Sequence, residues 1–270
     1  TNSLKDIVGP NVRTRAFVDD GPMNDRASAR RSGLGWVGKN TNVISPRFGS
    51  WILLGQVVTD LHLEPDTPLR KTCGSCVRCI DDCPTGAIVA PYVIDNTKCI
   101  SYLTIELKGS IPIELRSLVG DWVFGCDICQ DVCPVNRKAE SGKTAISGDF
   151  KQRPGFATPD LLALLELDQK TFSRIYKNSP VKRAKRIGLQ RNACVALGNN
   201  GDSSAVQPLI KAMKGSDSLI RGHAAWALGK FAESGNCKAL EALQSARDKE
   251  NDDDVLFEIK LALSSMGTTR

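Results

Sequence analysis

The stretch Cys73-Gly74-Ser75-Cys76-Val77-Arg78-Cys79-Ile80-Asp81-Asp82-Cys83-Pro84 decides how this chain is read. Its cysteines follow C-x2-C-x2-C-x3-C-P. Three thiolates on a tight loop can wrap three irons of one cubane while the fourth turns away to a second cubane. Zinc is the competing reading of C-x-x-C pairs. A tetrahedral ion takes four ligands, however, and has no use for a three-plus-one pattern. A second run, Cys126-Asp127-Ile128-Cys129-Gln130-Asp131-Val132-Cys133-Pro134, adds three cysteines, with Cys99 upstream.

Crossing of the kind found in ferredoxins assigns Cys73, Cys76, Cys79 and Cys133 to one [4Fe–4S] cluster. Cys83, Cys99, Cys126 and Cys129 then hold the other. Clusters that share ligand loops lie close and relay single electrons, so the final acceptor must be another group. A plain electron carrier has no use for the insertion between Cys99 and Cys126. That segment is therefore expected to touch a substrate or a second cofactor.

Working outward, residues 1–68 read as part of an α/β unit. Residues 15–18 suggest a short buried strand ending in the turn cluster Asp19-Asp20-Gly21-Pro22, and residues 25–32 suggest a helix. Gly33-Leu34-Gly35-Trp36-Val37-Gly38-Lys39-Asn40 is a glycine-rich loop without the phosphate-loop spacing. It suits either a close approach to a flat cofactor, with Lys39 meeting a phosphate or amide, or an ordinary turn. Residues 42–44 and 51–58 read as strands. Residues 69–137 form the cysteine region, and 138–177 a connection with helix over 160–167.

Residues 178–270 carry apolar positions at helical spacing and repeat themselves. Ala193-Cys194-Val195-Ala196-Leu197-Gly198 recurs as Ala224-Ala225-Trp226-Ala227-Leu228-Gly229, with Arg191 and Arg221 ahead of the two runs. This predicts a HEAT-like α-solenoid, with a third unit ending near Met266-Gly267. The fold class expected is α+β: a partial α/β domain, a two-cluster ferredoxin-like domain and the solenoid.

The chain has 270 residues, 41% hydrophobic, and a net charge of +6. The excess is concentrated in Lys182, Arg183, Lys185, Arg186 and Arg191, a pattern that tracks a nucleic-acid backbone or forms a solvated helix face. No apolar run reaches the roughly 18 residues of a membrane span. Eight of ten cysteines sit in ligand patterns rather than as disulfide candidates, which fits a reducing cytoplasm. Cys194 and Cys237 are expected in the solenoid core. His62 and His223 lack a ligand context, and His223 reads as packing or surface.

Together these motifs resemble the epoxyqueuosine reductase family. The resemblance is carried by Phe17-Val18-Asp19-Asp20-Gly21-Pro22, the Gly33–Asn40 loop and Gly49-Ser50-Trp51-Ile52-Leu53-Leu54-Gly55. Both cysteine runs, Cys99-Ile100-Ser101-Tyr102-Leu103-Thr104-Ile105-Glu106 and Leu189-Gln190-Arg191-Asn192-Ala193 complete it. Members carry a further N-terminal segment of the catalytic domain, so this chain is expected to begin inside that domain.

The resemblance implies reduction of epoxyqueuosine to queuosine at the tRNA wobble position, with electrons passing through two [4Fe–4S] clusters to cobalamin. It assigns Asp19 as the acid, with Asp20 the natural control. It places Asp19, Val43, Leu54, Ser101, Lys108, Cys126 and Asp127 along the corrin. Ile105, Leu107 and Ser110 are candidate contacts to the modified base, and Lys182, Arg183, Lys185, Arg186 and Arg191 to tRNA phosphates. A cytoplasmic monomer served by an external electron donor is expected. Two alternatives are a reductive dehalogenase and a ferredoxin-type electron-transfer subunit with a helical docking domain. A small halogenated substrate needs neither a basic run nor a solenoid, and a carrier needs no corrinoid.

Overall fold

The computed structural model describes residues 2–19, 21–141, 156 and 158–265. Asp20, most of the stretch 142–157, Met266 and Gly267 lie outside the described residues. Two compact units form: residues 1–95 with 127–150, and residues 96–126 with 151–270. The units cut across the segments expected from sequence. The stretch between the cluster cysteines, 96–126, belongs with the repeat rather than with the cysteine runs.

In chain order the elements begin with α1 (Asn2–Val8), β1 (Thr14–Phe17), α2 (Asp25–Arg31), β2 (Trp36–Val37), β3 (Val43–Ile44) and β4 (Gln56–Thr59). Next come α3 (Arg78–Asp81), β5 (Ile88–Ala90), β6 (Val93–Ile94), α4 (Ile100–Ile105) and α5 (Ile113–Val119). α6 (Ile128–Asp131), α7 (Pro134–Ser141), α8 (Leu161–Leu165) and α9 (Gln169–Ile175) follow. The repeat comprises α10 (Lys185–Asn200), α11 (Val206–Met213), α12 (Ser218–Glu233), α13 (Cys237–Arg247) and α14 (Asp253–Ser264).

In the first unit the described strands form three antiparallel pairs, β1–β4, β2–β3 and β5–β6. The strand read at 15–18 is present but not buried, since Arg15 and Ala16 are exposed. Only the end of the strand read at 51–58 pairs, as β4. Inside the glycine-rich loop, Trp36 and Val37 form a strand that pairs with Ile44 and Val43. A Cβ on Gly35 would sit 2.6 Å from the Ile44 carbonyl oxygen, and one on Gly38 would sit 2.6 Å from the Ile44 side chain. These glycines let the loop lie against its own partner strand.

In the second unit α10, α12 and α14 stand side by side. The capping logic is local: Asp217, Asn236 and Asp252 accept the N–H groups of Ile220, Ala239 and Val255. Gly201 closes α10 in the left-handed conformation. One apolar core runs from Ile100, Leu103 and Val119 through Leu197, Leu209 and Leu228 to Ile259. No helix among the described residues is long and apolar enough to cross a membrane.

Candidate functional site

The first cysteine quartet lies within one unit, and its members feel one another. Burial, followed by the charges of Cys73 and Cys76 and then Cys133, pushes the Cys79 thiol up from its ordinary value. Cys133, remote in sequence, is thus near enough to the Cys73–Cys79 loop for its charge to be felt at Cys79. A single tetrahedral zinc would draw its thiolates to about 3.8 Å of one another, given Zn–S bonds near 2.3 Å. Four cysteine thiols offer the donor chemistry of a cubane.

The ligand loops are held from outside. Lys39 Nζ donates to the Gly74 carbonyl at 2.8 Å, and Asn40 Nδ2 to the Cys129 carbonyl at 3.1 Å. The Lys39 carbonyl accepts the Tyr92 N–H at 3.0 Å, in the turn between β5 and β6. Asn136, fully buried, accepts the Ser50 N–H at 2.7 Å and donates to the Gln130 carbonyl at 2.9 Å. Ala87 N–H points at Cys83 Sγ at 3.3 Å. Lys39 therefore serves the protein's own backbone. Sequence reasoning missed Lys39, Asn40, Ser50 and Asn136 as loop holders. The signal available was the polar run Lys39–Asn42 between the apolar pairs Trp36-Val37 and Val43-Ile44, whereas Ser50 and Asn136 carried none.

Of the second quartet, Cys83 and Cys129 belong to one unit and Cys99 and Cys126 to the other. Cys126 follows a tightly held turn: Gly125 N–H donates to Thr104 Oγ1 at 2.9 Å, and Asn192 Nδ2 reaches the Thr104 and Val123 carbonyls, each at 2.8 Å.

Residue by residue, Asp19 lies two positions past β1, exposed and with a positive φ of 52°. Val43 is core, Leu54 and Ser101 are half-buried, and Asp127 is exposed. Lys108 is exposed and donates to the Ile105 and Arg183 carbonyls. Ile105 and Leu107 are half-buried, and Ser110 is exposed.

The basic run is not one helical face. Lys182 and Arg183 lie in a 3-10 turn over Pro180–Ala184, and Lys185 begins α10. Lys182, Arg183 and Lys185 are exposed, with Arg183 pairing to Glu106 at 2.6 Å. Arg186 is half-buried and bonds to Gln190.

Arg191 must be corrected. It is 0% exposed, and its guanidinium donates to the Leu103, Leu107 and Gly109 carbonyls and to Asn192. Burial, with the Arg116 charge adding, lowers its pKa to about 10. It cannot meet a phosphate, because every donor direction is filled by protein. Arg221, ahead of the second repeated run, is forked onto Glu250 and bonded to the Gly215 and Ser216 carbonyls. His223 is buried rather than surface: Nδ1 donates to the Leu219 carbonyl and Nε2 accepts the Ile111 N–H. Cys194 is core as expected, but Cys237 is exposed at the start of α13.

Two family models match: a 4Fe-4S double cluster binding domain over residues 72–136 and HEAT repeats over 182–264. A crystal structure of selenomethionine-labelled epoxyqueuosine reductase superposes with a TM-score of 0.90 at 36% identity, over 98% of this chain and 69% of that one. The chain belongs to the epoxyqueuosine reductase family. A second family structure, with an epoxyqueuosine-modified tRNA-Tyr stem loop, also has a TM-score of 0.90, at 35% identity over 99% of this chain and 70% of that one. The epoxyqueuosine reductase of Bacillus anthracis is 38% identical over 94% of this chain. The chain spans 65% of the length of that relative.

Proposed function

We propose that this chain takes part in reducing epoxyqueuosine to queuosine in tRNA. The family likeness supports this reading, as does the stem-loop complex of a relative. The observation that carries it is the gathering of Cys79 with Cys73, Cys76 and Cys133. Those four cysteines hold one cluster, and Cys83, Cys99, Cys126 and Cys129 hold the other.

The reaction removes the epoxide oxygen as water, taking up two electrons and two protons and leaving a carbon–carbon double bond. Cobalamin, when bound, would supply a cobalt centre able to deliver electrons to the substrate. Asp19, Leu54, Ser101 and Asp127 are accessible enough to meet it, whereas Val43 is packed in the core and can only shape the surface from beneath. Asp19 protonates the opening oxygen, and its exposure lets it reach a ligand. Ile105, Leu107 and Ser110 approach the modified base. Lys182, Arg183, Lys185 and the free part of Arg186 neutralise phosphates without reading sequence. An external donor supplies electrons.

The test is single-turnover conversion of epoxyqueuosine-containing tRNA, anaerobically, with reductant and added cobalamin, read by nucleoside mass spectrometry. Wild type and Asp20→Asn are expected to form queuosine, and Asp19→Asn to lose at least 100-fold, on the order of one general-acid contribution. Failure of a wild type that holds both clusters and cobalamin would sink the function.

A further inference from the structure

We propose that the Lys39 ammonium balances charge at the cluster held by Cys73, Cys76, Cys79 and Cys133 and raises that cluster's reduction potential, acting as a positioning residue through the Gly74 loop. This rests on the iron–sulfur reading above. Lys39 is only 9% exposed, and its Nζ donates at 2.8 Å to the carbonyl of Gly74. Gly74 lies between the ligands Cys73 and Cys76, in the left-handed conformation with φ of 55°.

Among the described residues the ammonium has that carbonyl as its partner and meets no carboxylate. A buried ammonium without a counter-charge is costly and persists where something negative is placed beside it. A cubane ligated by four thiolates carries net negative charge, which grows on reduction. A fixed cation beside its loop therefore stabilises the reduced form more than the oxidised one. Asn40, the neighbouring holder, bonds the Cys129 carbonyl with a neutral amide and supplies position without charge.

The experiment uses the anaerobically reconstituted chain, with iron and sulfide analysis and a redox titration followed by electron paramagnetic resonance. Lys39→Gln keeps a donor for the Gly74 carbonyl and removes the charge, Lys39→Met removes both, and Lys39→Arg keeps both. The expected result is a lower midpoint potential for one cluster in the glutamine and methionine variants. The second cluster should be unmoved, and arginine should sit near wild type. Loss of iron from both neutral variants but not from arginine also supports the proposal. Wild-type potentials in the glutamine variant overturn it, as does loss of the cluster from all three variants. A wild type that takes up no iron and sulfide instead sinks the cluster reading itself.

Discussion

Arg116, Arg191, His223 and Glu258 are all buried within the repeat unit. Arg116 forks onto Glu258, donates to the Ile111 carbonyl at 2.8 Å and lies over the Trp226 ring. His223 faces both arginines, and burial, with the Arg116 charge next, holds its pKa well below 6.5. The folded chain thus keeps His223 neutral, while the unfolded chain takes up a proton as pH falls through that value. Stability is full above about pH 6.5 and declines below it, by up to about 1.4 kcal/mol per pH unit. Urea midpoints between pH 7.5 and 5.5 should fall for wild type and fall less steeply for His223→Gln. Equal slopes would refute a neutral His223. Little of this was legible in sequence. Arg191 read as one more cation in a basic run, yet Gln190-Arg191-Asn192 interrupts the otherwise apolar stretch 187–198. Such an interruption marks buried polar groups that need partners.

At the scale of elements, the recurring A-x-x-A-L-G run was legible because its glycines do a packing job. A Cβ on Gly198 would sit 3.0 Å from Ala227 Cα and 2.9 Å from the Trp226 ring, and one on Gly229 would sit 2.8 Å from Ala262 Cβ. The same repeat position therefore sets the approach of α10 to α12 and of α12 to α14. Gly229→Ala should cost about 1–3 kcal/mol despite the better helix former. Gly188→Ala, whose Cβ would meet Ala184 at an ordinary 3.9 Å, should gain about 0.5–1 kcal/mol. Opposite shifts in thermal midpoint check the contrast, and a stabilised Gly229→Ala would break it. The strand read at 51–58 failed for a different reason. Trp51 and Leu53 are exposed, so their apolar character does not report burial.

For the whole molecule, the cysteine pattern announced the cluster region and the repeat announced the helical region. The packing of 96–126 with the repeat was not legible, because backbone carbonyls hold it and sequence does not display them. The cations at 182–186 are the remaining nucleic-acid candidates, with Arg186 only partly exposed. Replacing Lys182, Arg183, Lys185 and Arg186 by Ala should weaken binding of an anticodon stem loop. It should also flatten the slope of log affinity against log salt by about 2–3. Arg183 would contribute least, since Glu106 already competes for it. An unchanged slope in anisotropy titrations would remove this stretch from the contact surface.

The grip of Arg191, Asn192 and Asn199 on the segment 103–123 falls on main-chain oxygens throughout. Main-chain oxygens are the same whatever side chain a residue bears. The exposed positions Gly109 and Ser110 of that segment are thus open to replacement without loosening their seat, whereas Lys108 also ties down the Ile105 and Arg183 carbonyls. The scaffold separates the vocabulary of recognition from the grammar of anchoring. A designer could rewrite the exposed side chains there and keep the mounting intact.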